Sequence, residues 1–263
     1  MADVVDGLTW TRSKADMRMY REMFGMSTVE MGRLAVVDGR TVRAWENPRE
    51  WVPDRTSWMA AEALWRDSDR LARELAGEDP AVLPYWTCAS APGAIAARIA
   101  AGRLSAAGRA WDVSWSRDGV PDGGKSRFRL MTDMLRVHGD RAAALFGVSR
   151  QTVVAWRRPA SPGSVPTPEA WGALDGLWDG MVARAAELAD MMADAAERAA
   201  EAGRRRVPPS LTFYRLRSDW TAWHDEGDWL AEDCSVWLAE VLLHDRGLEP
   251  STVYADPNPK AMF

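Results

Sequence analysis

The 263-residue chain holds only two cysteines, Cys88 and Cys234, and no Cys-x-x-Cys pair, so neither a disulfide framework nor a thiolate zinc site is indicated and a reducing compartment fits. It lacks any apolar run long enough to span a bilayer. Its start, Met1-Ala2-Asp3-Val4-Val5-Asp6-Gly7, lacks the basic segment and apolar stretch of a signal peptide, so a cytoplasmic protein without membrane contact is expected. The three histidines, His138, His224 and His244, have no metal-ligand spacing, and no serine, histidine and acid grouping stands out. The expectation is a protein that is not an enzyme and binds no metal or cofactor. A net charge of -5 argues against a generally sticky polyanion binder.

One stretch does imitate a cofactor motif. Gly119-Val120-Pro121-Asp122-Gly123-Gly124-Lys125-Ser126 matches the P-loop pattern G-x-x-x-x-G-K-[ST]. Pro121 has no N–H to offer a phosphate and Asp122 would set a negative charge beside one, while the alternating strands and helices of a large parallel sheet are missing. Nucleotide binding is therefore not expected.

What is present is a repeat. Val148-Ser149-Arg150-Gln151-Thr152-Val153-Val154-Ala155-Trp156 reads as the second helix of a helix-turn-helix, with Gly147 closing the helix before it, Ser149 as N-cap, and Val148 and Val153 as a hydrophobic staple. Val153 and Trp156 share an inward face, which leaves Arg150, Gln151 and Val154 outward. Val37-Asp38-Gly39-Arg40-Thr41-Val42-Arg43-Ala44-Trp45 is a second copy: Val37, Thr41, Val42 and Trp45 fall on Val148, Thr152, Val153 and Trp156. Upstream, Arg18, Met23 and Leu34 fall on Arg129, Met134 and Leu145. Downstream, after a two-residue slip, Pro53, Trp58, Leu64 and Trp65 fall on Pro166, Trp171, Leu177 and Trp178. The matched tryptophans of this Trp-rich chain are read as core anchors.

The expected fold is mainly α with small β elements, as two tandem helix-turn-helix halves, each followed by a long helix and a strand-helix-strand unit. The first half is 1–118, with its helix-turn-helix at about 14–50, a long helix at 54–76 and strand-helix-strand at 82–115. Residues 119–126 are a linker. The second half is 127–263, with corresponding elements at about 127–159, 169–202 and 211–254. Ser27 to Glu30 forms a capping box, Asp38 is an N-cap, Asn47-Pro48 stops the recognition helix, and Gly77 ends the long helix. The apolar stripe Trp229, Leu230, Trp237, Leu238, Val241 and Leu242 is too wide for its own sheet, so the other half is expected to cover it.

Charge is uneven. From Lys125 to Pro166 there are eight basic residues against Asp133 and Asp140, whereas Lys14 to Arg55 has eight basic and seven acidic residues.

The element order resembles the helix-turn-helix repressors of phage and bacterial lysogeny control. Trp45 or Trp156 ending the recognition helix, Val52-Pro53 and Val165-Pro166, a linking helix, Pro209-Ser210-Leu211-Thr212-Phe213-Tyr214, and an apolar helix ending before Gly247 together resemble the anti-CRISPR-associated repressor family, related to the small YdiL-like proteins. That resemblance implies recognition helices in the major groove, C-terminal units forming a dimer-like junction, and repression of an operon from an inverted repeat. This chain departs from the pattern by fusing both halves and by carrying different residues on its two recognition helices. The DNA-contacting set so expected is Gly39, Arg40, Thr41, Arg43 and Arg49 in the first half, with Ser149, Arg150, Gln151, Thr152, Val154, Arg157 and Arg158 in the second. The expected partner is double-stranded DNA, bound by an intramolecular pseudo-dimer. An interaction module of anti-CRISPR or antitoxin type that uses the same halves as scaffold, or an RNA binder, remains open on these residues.

Overall fold

The computed structural model describes residues 4–5, 8–9, 13–47, 52–85, 92–115, 122, 124–161, 163–203 and 210–255. The order is β1 (Val4–Val5), β2 (Leu8–Thr9), α1 (Lys14–Met23), α2 (Thr28–Ala35), α3 (Gly39–Trp45), α4 (Arg55–Gly77), β3 (Ala81–Pro84), α5 (Pro92–Ala106), β4 (Trp111–Ser114). Then follow α6 (Lys125–Met134), α7 (Gly139–Phe146), α8 (Arg150–Trp156), α9 (Pro168–Glu201), β5 (Ser210–Phe213), α10 (Arg217–Thr221), α11 (Trp229–Asp245) and β6 (Ser251–Tyr254). The molecule is mainly helical. Three short helices, one long helix and a strand-helix-strand unit occur twice in the same order, the second unit with the short α10 added between β5 and α11.

Polar caps set most of the helix starts. Ser13 and Ser27 form capping boxes with Asp16 and Glu30, and Asp38, Asp54, Ser149 and Thr167 each accept a backbone N–H from the first turn of α3, α4, α8 and α9. Each such cap is worth roughly 1 kcal/mol. The turns repeat too. Gly25 (φ 65°) and Arg136 (φ 55°) are left-handed at corresponding places, as are Val36 (φ 58°) and Gly147 (φ 63°). Glycine adopts this shape without steric cost; Val36 and Arg136 do not, so the backbone path is shared more closely than the residue types.

Both repeats contribute to one hydrophobic core. Trp45, Trp58, Trp65, Trp156 and Trp178 are buried in it and Trp171 packs against it. The indole N–H groups of Trp111 and Trp178, one from each repeat, donate to the same Ser105 hydroxyl at 2.8 and 2.9 Å. β3 pairs in parallel with β4 (Ala81 opposite Trp111), with α5 between them, and β5 with β6 (Ser210 opposite Ser251), with α10 and α11 between them.

The two units are interlocked. α5 packs on α11, where Gly102 is so close to Leu238 that an added Cβ would lie 2.6 Å from its Cδ1. Each closing strand then lies on the first helix of the other repeat. The Ser126 hydroxyl at the start of α6 donates to the Val113 carbonyl of β4 at 2.7 Å, and the Thr252 N–H of β6 donates to Asp16 Oδ1 on α1 at 2.5 Å. The wide apolar face of α11 is thus covered by α9, α5 and α1 together.

The structure differs from the sequence reading at several places. Gly77 is the last residue of α4 and does not end it as a left-handed cap: Glu78 leaves extended, and the Arg109 guanidinium donates to the Ala76 and Glu78 carbonyls at 2.5 and 3.0 Å, satisfying the helix end from outside. The β1–β2 pair and α10 were not expected, each being too short to carry a periodic signal. Pro48, Arg49, Trp86, Cys88, residues 119–121 and 123 of the P-loop-like stretch, residues 204–209 and the chain from 256 lie outside the described residues. Of that stretch, Lys125 is buried and donates to the Ser161 carbonyl at 2.6 Å, as its repeat mate Lys14 does to Asn47 at 2.8 Å. Lys125 and Ser126 are therefore both engaged within the fold. Among the described residues no helix is long and apolar enough to cross a membrane.

Candidate nucleic-acid interface

α3 and α8 are seven-residue helices held from behind. In α3 Val42 and Trp45 are buried, and in α8 Val153 and Trp156, so one face of each is anchored and the opposite face is free. Trp156 meets Phe128 edge-on at 5.7 Å and Phe146 at 6.2 Å, which ties α8 to α6 and α7. On the α3 side the fit is backbone to backbone. A Cβ on Gly32 would lie 2.7 Å from the Val37 carbonyl, and one on Gly39 would lie 3.3 Å from the Thr28 carbonyl. Gly32 thereby sets how closely α2 approaches the start of α3.

The outward residues fall into three kinds. Arg40, Arg43, Gln151, Val154 and Arg158 are exposed, with Arg43 donating to the Thr28 hydroxyl at 3.3 Å. Gly39, Thr41 and Thr152 are half-buried, and Ser149 caps α8 with its hydroxyl 2.9 Å from that of Thr152. Arg150 and Arg157 are already paired. Arg150 makes a two-pronged pair with Asp140 across the α7–α8 turn; both groups are exposed, and the bond holds Asp140 below and Arg150 above their ordinary values. Arg157, at the end of α8, is partly buried and bound to Asp133 of α6. Arg49 lies outside the described residues.

Asp133 is a hub that sequence reasoning missed. Besides Arg157 it accepts the Tyr85 hydroxyl at 2.5 Å and lies 3.5 Å from Arg129. Burial pushes the Tyr85 phenol up to about 12, so it stays a donor to the carboxylate. The one available signal was that Asp133 and Glu22 correspond in the repeat. Glu22 plays the matching part on α1, taking Arg18 at 2.9 Å, Arg21 at 3.2 Å and Arg136 at 2.6 Å.

Among the described residues no group of histidine, cysteine, aspartate and glutamate could hold a metal ion. Compared with protein-family models, curated proteins and solved structures, the chain matches none of them.

Proposed function

We propose that the chain is a sequence-specific, double-stranded DNA-binding repressor of phage or prophage type. On this reading its two halves are tandem helix-turn-helix units acting as a single-chain pseudo-dimer on an imperfect inverted repeat. The observation that carries the proposal is the pair α3 and α8: corresponding capped helices, anchored by Val42 with Trp45 and Val153 with Trp156, each presenting polar side chains on the free face. Recognition helices read base edges from such a face.

The two faces differ in chemistry, so the half-sites should differ, set about one helical turn or roughly 34 Å apart. Arg40, Arg43 and Arg150 suit guanine and Gln151 suits adenine, each good bidentate contact being worth roughly 1–3 kcal/mol of discrimination. Selection of sites from a random duplex pool tests the reading. An asymmetric operator is expected, with Gln151→Ala relaxing one position of one half-site. A perfect palindrome, or no change on replacing Gln151 and Arg40 together, would refute two different readers.

The Arg150–Asp140 pair favours a second reading, in which the halves are a scaffold for protein contacts, because it neutralises a cation that DNA would otherwise use. Titration against random duplex at low and moderate salt separates the two. Affinity that falls with salt supports the repressor, and affinity absent even at low salt supports the interaction module.

A further inference from the structure

A cavity of about 330 Å³ lies where the two repeats face each other, within the lower range of small-ligand sites. Its walls come in corresponding pairs: Glu22 with Asp133, Gly25 with Arg136, and Ser27 with His138, the last two being the cap residues of α2 and α7. Across these pairs Arg98 enters from α5. Four guanidiniums line the space against two carboxylates, and both carboxylates are committed, Glu22 to Arg18, Arg21 and Arg136, and Asp133 to Arg157 and Tyr85.

Arg98 is the unbalanced group. It is only 4% exposed, makes one hydrogen bond among the described residues, from Nη1 to the Met23 carbonyl at 3.3 Å, and rests 6.0 Å from the Tyr85 ring centroid. Among the described residues its Nε has no hydrogen-bond partner and no carboxylate pairs with it. A buried guanidinium without a counter-anion is costly, and its planar fork matches an oxyanion. Gly25 is shaped to admit it: a Cβ there would lie 2.2 Å from Arg98 Nη1. Burial and the nearby Arg157 hold His138 below its ordinary value, consistent with an electropositive enclosure.

We propose that this cavity is an effector site for a compact, soluble oxyanion of phosphate or dicarboxylate size, held by Arg98 with Arg136 across the junction of the two repeats. A free small anion fits better than a duplex phosphate because Arg98 and Tyr85 lie beneath the surface, at 4% and 2% exposure, out of reach of a DNA backbone. The site bears on α8 through one shared carboxylate. An anion drawing Arg129 towards it loosens the hold on Asp133, which also fastens Arg157 at the end of α8. That regulatory consequence rests on the repressor reading; the binding site itself does not.

The test uses the full chain without DNA, titrated with phosphate, sulfate and malonate against chloride at matched ionic strength, with thermal unfolding and calorimetry as readouts. A saturable rise in Tm specific to at least one oxyanion is expected. Arg98→Gln should weaken it by about tenfold or more, the worth of one charge-assisted hydrogen bond. Arg136→Gly removes one of the three partners of Glu22, which keeps Arg18 and Arg21, and relieves a left-handed turn that glycine prefers, so the two effects offset and the variant should stay folded while losing about tenfold in affinity. No response beyond that to chloride, or an unchanged response in Arg136→Gly, overturns the site. A DNA titration with the oxyanion present then reads the coupling: a changed affinity supports it and an unchanged one overturns it. Loss of all DNA binding would refute the repressor reading and leave the oxyanion site standing.

Discussion

Replacing Asp233 by asparagine should stabilise the protein increasingly as pH rises. Asp233 is 1% exposed on α11, and its Oδ1 accepts the Tyr214 N–H at 3.1 Å. Its Oδ2 has no hydrogen-bond partner among the described residues, and the guanidinium paired with it, that of Arg136, is 3.9 Å away and lies closer to Glu22, at 2.6 Å. Burial first, and the negative charge of Glu22 second, raise its pKa from 3.8 to about 8. The folded state therefore holds this proton more tightly than the unfolded chain does. The corresponding stability is complete below about pH 4 and is lost as pH rises through about 8. At about 1.36 kcal/mol per pKa unit the loss is about 5–6 kcal/mol over the whole range, of which about 4 kcal/mol falls between about pH 5 and about pH 8.5. Asparagine keeps the acceptor for Tyr214 and never ionises, so any packing difference between the two side chains is a constant offset and the pH-dependent part is the charge. Urea unfolding of parent and Asp233→Asn across that pH range measures it, with the gap expected to widen in favour of the variant. A gap that stays flat, or one that moves against asparagine as pH rises, would refute the reasoning.

Three further outcomes follow from particular contacts. Val36→Gly should raise stability by about 1 kcal/mol in denaturant unfolding, because Val36 is 87% exposed at φ 58° and its repeat mate Gly147 adopts the same turn without a Cβ clash. Asp140→Asn should increase affinity for duplex DNA and steepen its salt dependence by releasing Arg150, an effect read in a filter or anisotropy titration at several salt concentrations. Arg157 and Arg158 should separate: Arg158→Ala lowers the salt slope by about 1 with little change in folding. Arg157→Ala removes the partner of Asp133 and costs about 1–3 kcal/mol in unfolding experiments.

The Arg157 case shows where charge counting stops. In the sequence Arg157 and Arg158 are adjacent cations after a recognition-like helix and look equivalent. The chain leaves α8 here and the two side chains diverge: Arg157, the C-cap, is tied to Asp133 of α6, while Arg158 is exposed. Arg150 is similar, since Asp140 stands ten residues earlier, with no helical spacing to mark the pair, yet the α7–α8 turn brings them together.

Local chemistry was legible in the chain by itself. Caps such as Ser27, Asp38 and Ser149 act within three residues of themselves, and a buried face such as Val153 with Trp156 is fixed by helical period, so both can be read without knowing what lies opposite. The recurrence of tryptophans at matched places likewise announced a core, because so large an apolar side chain is rarely left outside one. The crossing of β4 onto α6 and of β6 onto α1, the meeting of Trp111 and Trp178 at Ser105, and the cavity around Arg98 were decided only by tertiary structure. Each joins residues of different elements through one or two hydrogen bonds or a shared wall, and such contacts leave no period, spacing or composition behind them in the sequence.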